Sequence, residues 1–243
     1  MLTANSLGFP AIPCLNDVQH GQPSAWIPGV RVNAVDWHLL LWHSGDLRRY
    51  RDAGGDMSKA VVHWLSSDDG TIDPLWGRTS FRKRVRQMRE AGVVKVIAPD
   101  FSSWADMPIA AQAYNYYRSA VVSHDLARAG FEVVPNVCWS APQLRDVSIG
   151  MWGQGISFAL IDANHFSPWK HNLDNELFWE GAVDFVRYNP DVFVWVYAGH
   201  EQTAIEWRQR FGQCLWCPSR VAVLQEMRRR KQEVQREQGW IGA

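Results

Sequence analysis

Short apolar runs recur along the chain, each followed by a polar cluster and then by apolar positions spaced as on one face of a helix. They fall at 30–36, 60–65, 93–100, 131–139, 156–162 and 192–199. The runs are almost continuously apolar, the pattern of parallel strands covered on both faces rather than the alternation of a half-exposed sheet. Strand, polar turn and helix repeated in this order are the signature of βα units.

The intervening segments carry helix signals. Thr79 is placed to cap a helix over 82–90 that Gly92 ends, and Asp106 to cap a longer helix with Pro108 in its first turn. In that longer helix Ala113, Tyr117, Ala120, Val121 and His124 share a face, and Gly130 is a natural stop. A third helix over 174–188 collects Leu177, Phe178, Gly181 and Phe185 and halts near Pro190; a shorter one follows Gly199, and the last covers 219–238.

Three stretches follow from this pattern. Positions 1–29 are rich in Pro, Gly, Asn and Ser with no sustained period and read as an extended arm. Positions 30–212 form the α/β domain, and 213–243 a helical tail. Six strands with helices between them fit an irregular or incomplete (β/α) barrel or an open doubly wound sheet, and of these the barrel is expected.

Composition narrows the function classes. With 243 residues and 47% hydrophobic positions, one domain can bury a sizeable core. Lys plus Arg and Asp plus Glu are 25 each, so any anion-binding surface must be local rather than a property of the whole molecule. No stretch approaches the roughly 18 apolar residues of a membrane span, and positions 1–10 lack a secretion signal, so no membrane partner and a cytoplasmic location are expected. Four cysteines, at 14, 138, 214 and 217, are too few and scattered for a disulfide framework. The 14 Trp residues are expected partly near a polar pocket, because a buried indole N–H wants a partner.

In both parallel architectures the working site lies beyond the carboxyl ends of the strands. The run ends are polar: Asp36 with Trp37 and His38, the cluster 66–69, Asp100 with Ser102 and Ser103, Asn136 with Trp139, Asp162 with Asn164 and His165, and His200 with Glu201. Asp36, Asp100 and Asp162 each close an apolar run, where a carboxylate is costly unless hydrogen-bonded, metal-bound or used chemically. They are therefore the catalytic candidates. Capping of the next helix is the structural alternative for each.

The stretch from Ala98 through Pro99, Asp100, Phe101, Ser102, Ser103, Trp104, Ala105, Asp106 and Met107 to Pro108 continues with Gln112, Tyr114, Asn115, Arg118, Gly130, Pro135 and Trp139-Ser140. This pattern resembles the domain-of-unknown-function 4417 family, in outline over 36–199 and most specifically over 99–140. The resemblance implies a setting on phages, plasmids and other mobile elements and assigns no activity. The insertion 66–76 and the Cys-containing tail depart from the pattern.

On the helix after Asp100, Asn115 and Arg118 lie three apart on one face and could direct an amide and a guanidinium at an anion or a base edge. With Ser102, Asn136, Trp139 and His200 they are the substrate-binding candidates. Arg118 paired with a core-facing acid is the equally weighted alternative. Trp37, Trp64, Trp104 and Trp139 at strand ends could form a stacking floor, which core packing explains as well. Cys214 and Cys217 have half a zinc-site spacing without a second pair at the usual distance, so no metal is expected. No cofactor is implied either: the Walker loop, the dinucleotide glycine pattern, the serine nucleophile elbow and the zinc-protease helix are all absent. Arg82 to Arg89 and Arg228 to Arg236 make two basic helical runs, either solvated outer faces or phosphate-tracking surfaces.

The leading expectation is a barrel-like enzyme with a carboxylate-lined pocket acting on a nucleobase, nucleotide or nucleic acid, through glycosyl or base-exchange chemistry as one form. The competing expectation is a non-catalytic module that binds nucleic acid or a host protein.

Overall fold

A computed structural model of the chain describes residues 37–42, 45–65, 69–103, 106–139, 141–153, 156–163 and 173–219, together with positions 229, 232 and 236. Among the described residues there are seven strands, all parallel: β1 (His38–Leu41), β2 (Ala60–His63), β3 (Lys95–Ile97), β4 (Glu132–Val134), β5 (Phe158–Asp162), β6 (Phe193–Ala198) and β7 (Cys214–Pro218). Between them run α1 (Asp46–Asp52), α2 (Asp69–Ile72), α3 (Arg78–Glu90), α4 (Ile109–Arg128), α5 (Arg145–Gly150), α6 (Leu173–Tyr188) and α7 (Glu201–Phe211). Ladders join β1 through β4 and β5 through β7 in chain order. The two groups are stitched by a parallel bridge between Asn136 and Leu160, with Leu160 N–H donating to Pro135 O at 2.8 Å and Val137 N–H to Leu160 O at 2.9 Å. The fold is thus a mixed α/β domain built on parallel sheets.

The sheet faces differ in what they cover. Leu40, Val62, Val96, Val133, Ile161 and Val196 point toward the helices and join the larger core. The alternate residues, Leu39, Val61, Ile97, Val134, Leu160, Trp195 and Leu215 among them, form a second cluster to which every strand contributes. Strong curling of the sheet brings them together. Laid flat, β1 and β6 would be separated by roughly 24 Å at about 4.8 Å per strand. Yet the ring of Trp37, just before β1, lies 5.8 Å from that of Trp195 on β6. The rings of His63 on β2 and Tyr197 on β6 are likewise 5.6 Å apart.

Several sequence expectations shift in the structure. The run 30–36 lies outside the described residues, and β1 follows it over four residues. Cys214–Pro218, expected as a connection leading to a helix, is instead the strand β7 paired with β6. Asp106 does not cap α4: Pro108 is its N-cap, with φ −53° and ψ 136°, and the helix starts at Ile109. That leaves Asp106 beyond reach of the first-turn amides. Helix α3 begins at Arg78 behind Gly77, ahead of the expected Thr79 cap, and the Ser80 hydroxyl donates to Gly77 O. The buried residues of α4 are Gln112, Tyr116, Ser119, Ala120, Val121, Val122, Ser123 and Leu126: Ala120 and Val121 of the expected stripe are among them, whereas Ala113, Tyr117 and His124 are only half-buried and small hydroxyls and one amide go inward beside them. The final helix, expected over 219–238, and the arm 1–29 fall almost wholly outside the described residues. Among the described residues no helix is long and apolar enough to cross a membrane.

Candidate functional site

Because all seven strands are parallel, their carboxyl ends lie on one side of the sheet, and the loops after β3, β4 and β5 bring polar groups together there. Asp162 is the last residue of β5 and shares the inward parity of Phe158 and Leu160. Asn136, two residues past β4, shares the parity of Val134. Asp100 lies three residues past β3. Cys138 links these groups: its thiol donates to Asp100 Oδ1 at 3.6 Å.

The Cys138 thiol is pushed well above its ordinary value, first by burial and then by the charge and hydrogen bond of Asp100 and the charge of Asp162. Two carboxylates, one in the loop after β3 and one at the end of β5, thus act on one thiol. At neutral pH Cys138 keeps its proton, which argues against a thiolate nucleophile and for a hydrogen-bond donor to Asp100. Asn136 is 2% exposed, and among the described residues neither its amide nitrogen nor its oxygen has a partner. An orphaned amide in such a place costs roughly 1–3 kcal/mol per unsatisfied group, a cost that a bound ligand would offset. His63 and Tyr197, buried at the ends of β2 and β6, extend the polar interior with an edge-on ring contact.

The other expected site residues are placed differently. Asp36 lies outside the described residues, as do the cluster 66–68, Trp104, Asn164 and His165. Asn115 donates its side-chain N–H to Ser102 O at 2.6 Å and so braces the loop after β3. Arg118 pairs with Asp73, donates to Asn115 Oδ1 at 3.4 Å and lies 3.9 Å over the Phe101 ring. Its guanidinium holds α4, that loop and the turn before α3 together. Trp139 turns outward from the interior: its indole donates to Phe178 O at 3.1 Å and packs on Phe185. His200 is exposed and precedes α7 as its N-cap without a side-chain capping bond.

Trp37 lies at the opposite end of the sheet from the carboxylates. Its ring contacts Lys95, the first residue of β3, at 5.0 Å and Phe158, the first of β5, at 5.7 Å. Trp64 is buried in the core beneath the helices. Cys214 and Cys217 are three apart on a strand, so they face opposite sides: Cys214 joins the helix-facing core and donates to Ala204 O at 3.3 Å, while Cys217 faces the interior. That geometry gives a metal no shared pair.

Gln112, fully buried on α4, is a clamp that sequence reasoning did not single out as such. Its amide N–H donates to Met107 O at 2.8 Å, and its carbonyl accepts from Ala141 N–H at 3.1 Å. It ties the loop after β3 to the loop after β4, the two that carry Asp100 and Cys138. His63, Cys138 and Tyr197 were also missed. Strand parity is the signal that marks His63 and Tyr197, each two positions after an inward residue, Val61 and Trp195.

The chain is 29% identical over 170 residues to "Gene 1 protein" of Mycobacterium phage L5, covering 69% of each chain. It is 27% identical over 161 residues to "Gene 1 protein" of Mycobacterium phage D29, covering 66% of this chain and 55% of the relative. No solved structure matches. The family model described as "Domain of unknown function (DUF4417)" matches residues 27–207, so the chain belongs to that phage-borne family.

Proposed function

We propose that this is an incomplete-barrel enzyme whose carboxyl-end pocket, built on Asp100 and Asp162, binds a nucleobase or nucleotide unit and carries out glycosyl or base-exchange chemistry. The hydrogen bond of the Cys138 thiol to Asp100, with the Asp162 charge near enough to act on the same thiol, carries the reading, since independent caps on separate helices would not share one side chain. The curled interior, to which all seven strands contribute, supports the barrel form.

A base edge presents donors and acceptors in one plane, and an amide and a carboxylate match it in kind. In this proposal Asn136 reads that edge. One aspartate attacks or stabilises the sugar carbon as its bond to the base breaks, the other gives a proton to the departing base, and water or an incoming base, deprotonated by that same aspartate, then takes the sugar carbon and frees the first. Cys138 donates to Asp100 and holds its orientation. The competing reading, a binding module for nucleic acid or a host protein, predicts ligand retention without turnover.

The test is an assay of nucleosides, nucleotides and short oligonucleotides for base release or exchange, with Asp100→Asn and Asp162→Asn as controls. Activity lost in both variants with the fold intact is expected. Activity unchanged in either would remove the two-carboxylate mechanism.

A further inference from the structure

Away from the pocket, helices α1 and α3 border an open groove of about 750 Å³ lined by Trp42, Arg48, Arg51, Arg84, Gln87 and Glu90. The charge of these helices is one-sided: nine Arg or Lys against three Asp or Glu. On α6 the balance reverses, with four acids and one Arg. A chain of zero formal net charge therefore carries a cationic flank and an acidic one.

The three acids of α1 and α3 are each engaged by an arginine other than Arg48 and Arg84: Asp46 by Arg49, Asp52 by Arg51 at 3.6 Å, and Glu90 by Arg86 at 3.9 Å. Arg84 donates to the neutral Gln87 at 3.2 Å. Among the described residues neither Arg48 nor Arg84 meets a carboxylate. Arg48 and Arg51 on one wall thus face Arg84 on the other, and the groove is open along its length. Several guanidiniums arrayed along a channel suit a ligand with serial anionic groups better than a single anion.

We propose that the α1–α3 groove is a docking site for a nucleic-acid backbone, with Arg48, Arg51 and Arg84 contacting successive phosphates. α3 is about 20 Å long at 1.5 Å per residue, enough to follow several phosphates. The site is sequence-independent, because its donors meet phosphate oxygens and not base edges. It stands apart from the pocket chemistry.

The test is fluorescence anisotropy with labelled single strands and duplexes of about 20 nucleotides across a salt series. Wild type is expected to bind at low salt. The triple variant Arg48→Gln, Arg51→Gln, Arg84→Gln is expected to bind at least about tenfold more weakly, with a log–log salt slope shallower by about two to three units. The triple Arg→Lys variant should retain most of the slope, which separates lost charge from lost fold. Asp100→Asn should bind as wild type does, so failure of the pocket reading and failure of this one look different. No binding by wild type, an unchanged slope in the glutamine variant, or binding only to phosphatidylserine vesicles would each overturn the proposal.

Discussion

The Cys138 thiol donates to Asp100 Oδ1 at 3.6 Å, joining the loop after β4 to the loop after β3. Burial and the two nearby carboxylates keep that thiol protonated, so in the proposed site it orients a carboxylate rather than attacking. Cys138→Ala should therefore reduce and not abolish the function of the site, whereas a nucleophilic cysteine would give complete loss. Iodoacetamide should label Cys138 at neutral pH far more slowly in the native protein than in urea, measured by peptide mass spectrometry. Equal rates would contradict a half-buried, protonated thiol.

Gly181 and Trp139 give a test of packing with a sign in it. A Cβ at Gly181 would lie 2.2 Å from Trp139 Nε1, so α6 approaches the indole only because the side chain is absent. Gly181→Ala should destabilise by about 1–3 kcal/mol through overpacking, despite a helix propensity that favours Ala by about 1 kcal/mol. In a Trp139→Ala background the same change should become neutral or stabilising. Urea unfolding of the four proteins measures the cycle, and additive effects would show that the contact is not made.

Gln112 is buried between two loops that carry site residues. Gln112→Leu would leave the Ala141 N–H without its partner and take one bond from the Met107 carbonyl, at a cost of about 1–3 kcal/mol for the unsatisfied amide. It should also loosen the Asp100–Cys138 bond, seen as faster alkylation of Cys138. A stability change under about 0.5 kcal/mol would remove Gln112 as a clamp.

Burial pushes the Cys217 thiol up to about 12 from its ordinary 9.0. A folded-state value above the unfolded one means that the folded chain holds this proton more tightly. The associated stability is complete below pH 9 and lost as pH rises from there toward 12, on the order of 4 kcal/mol at about 1.4 kcal/mol per unit. The stability advantage of wild type over Cys217→Ala should therefore shrink across that range. A difference constant with pH would contradict the burial.

Much of the framework was legible because parallel strands covered on both faces read as unbroken apolar runs, as at 60–65, 156–162 and 192–199. β1 escaped because its four residues, His38–Leu41, follow directly on a stronger run and begin with a polar residue. β7 escaped because two cysteines and Pro218 in five residues resemble a connection. Asp100, Asn136 and Asp162 were visible as polar residues at run ends. His63 and Tyr197 were hidden inside their runs, where only the two-residue alternation of a strand reveals which side chains face inward. Arg118 and Asn115 show the reverse: polar spacing on a helix suggested a ligand, and Asp73, Phe101 and Ser102 occupy them instead.

The pocket proposed for Asp100 and Asp162 is tested most directly by native mass spectrometry of the purified protein against a panel of nucleobases, nucleosides and nucleotides. Wild type should retain at least one of them, and Asp100→Asn and Asp162→Asn, with unchanged circular dichroism, should both lose it. Retention by both variants at wild-type levels, or no retention of any panel member by wild type, would contradict the account.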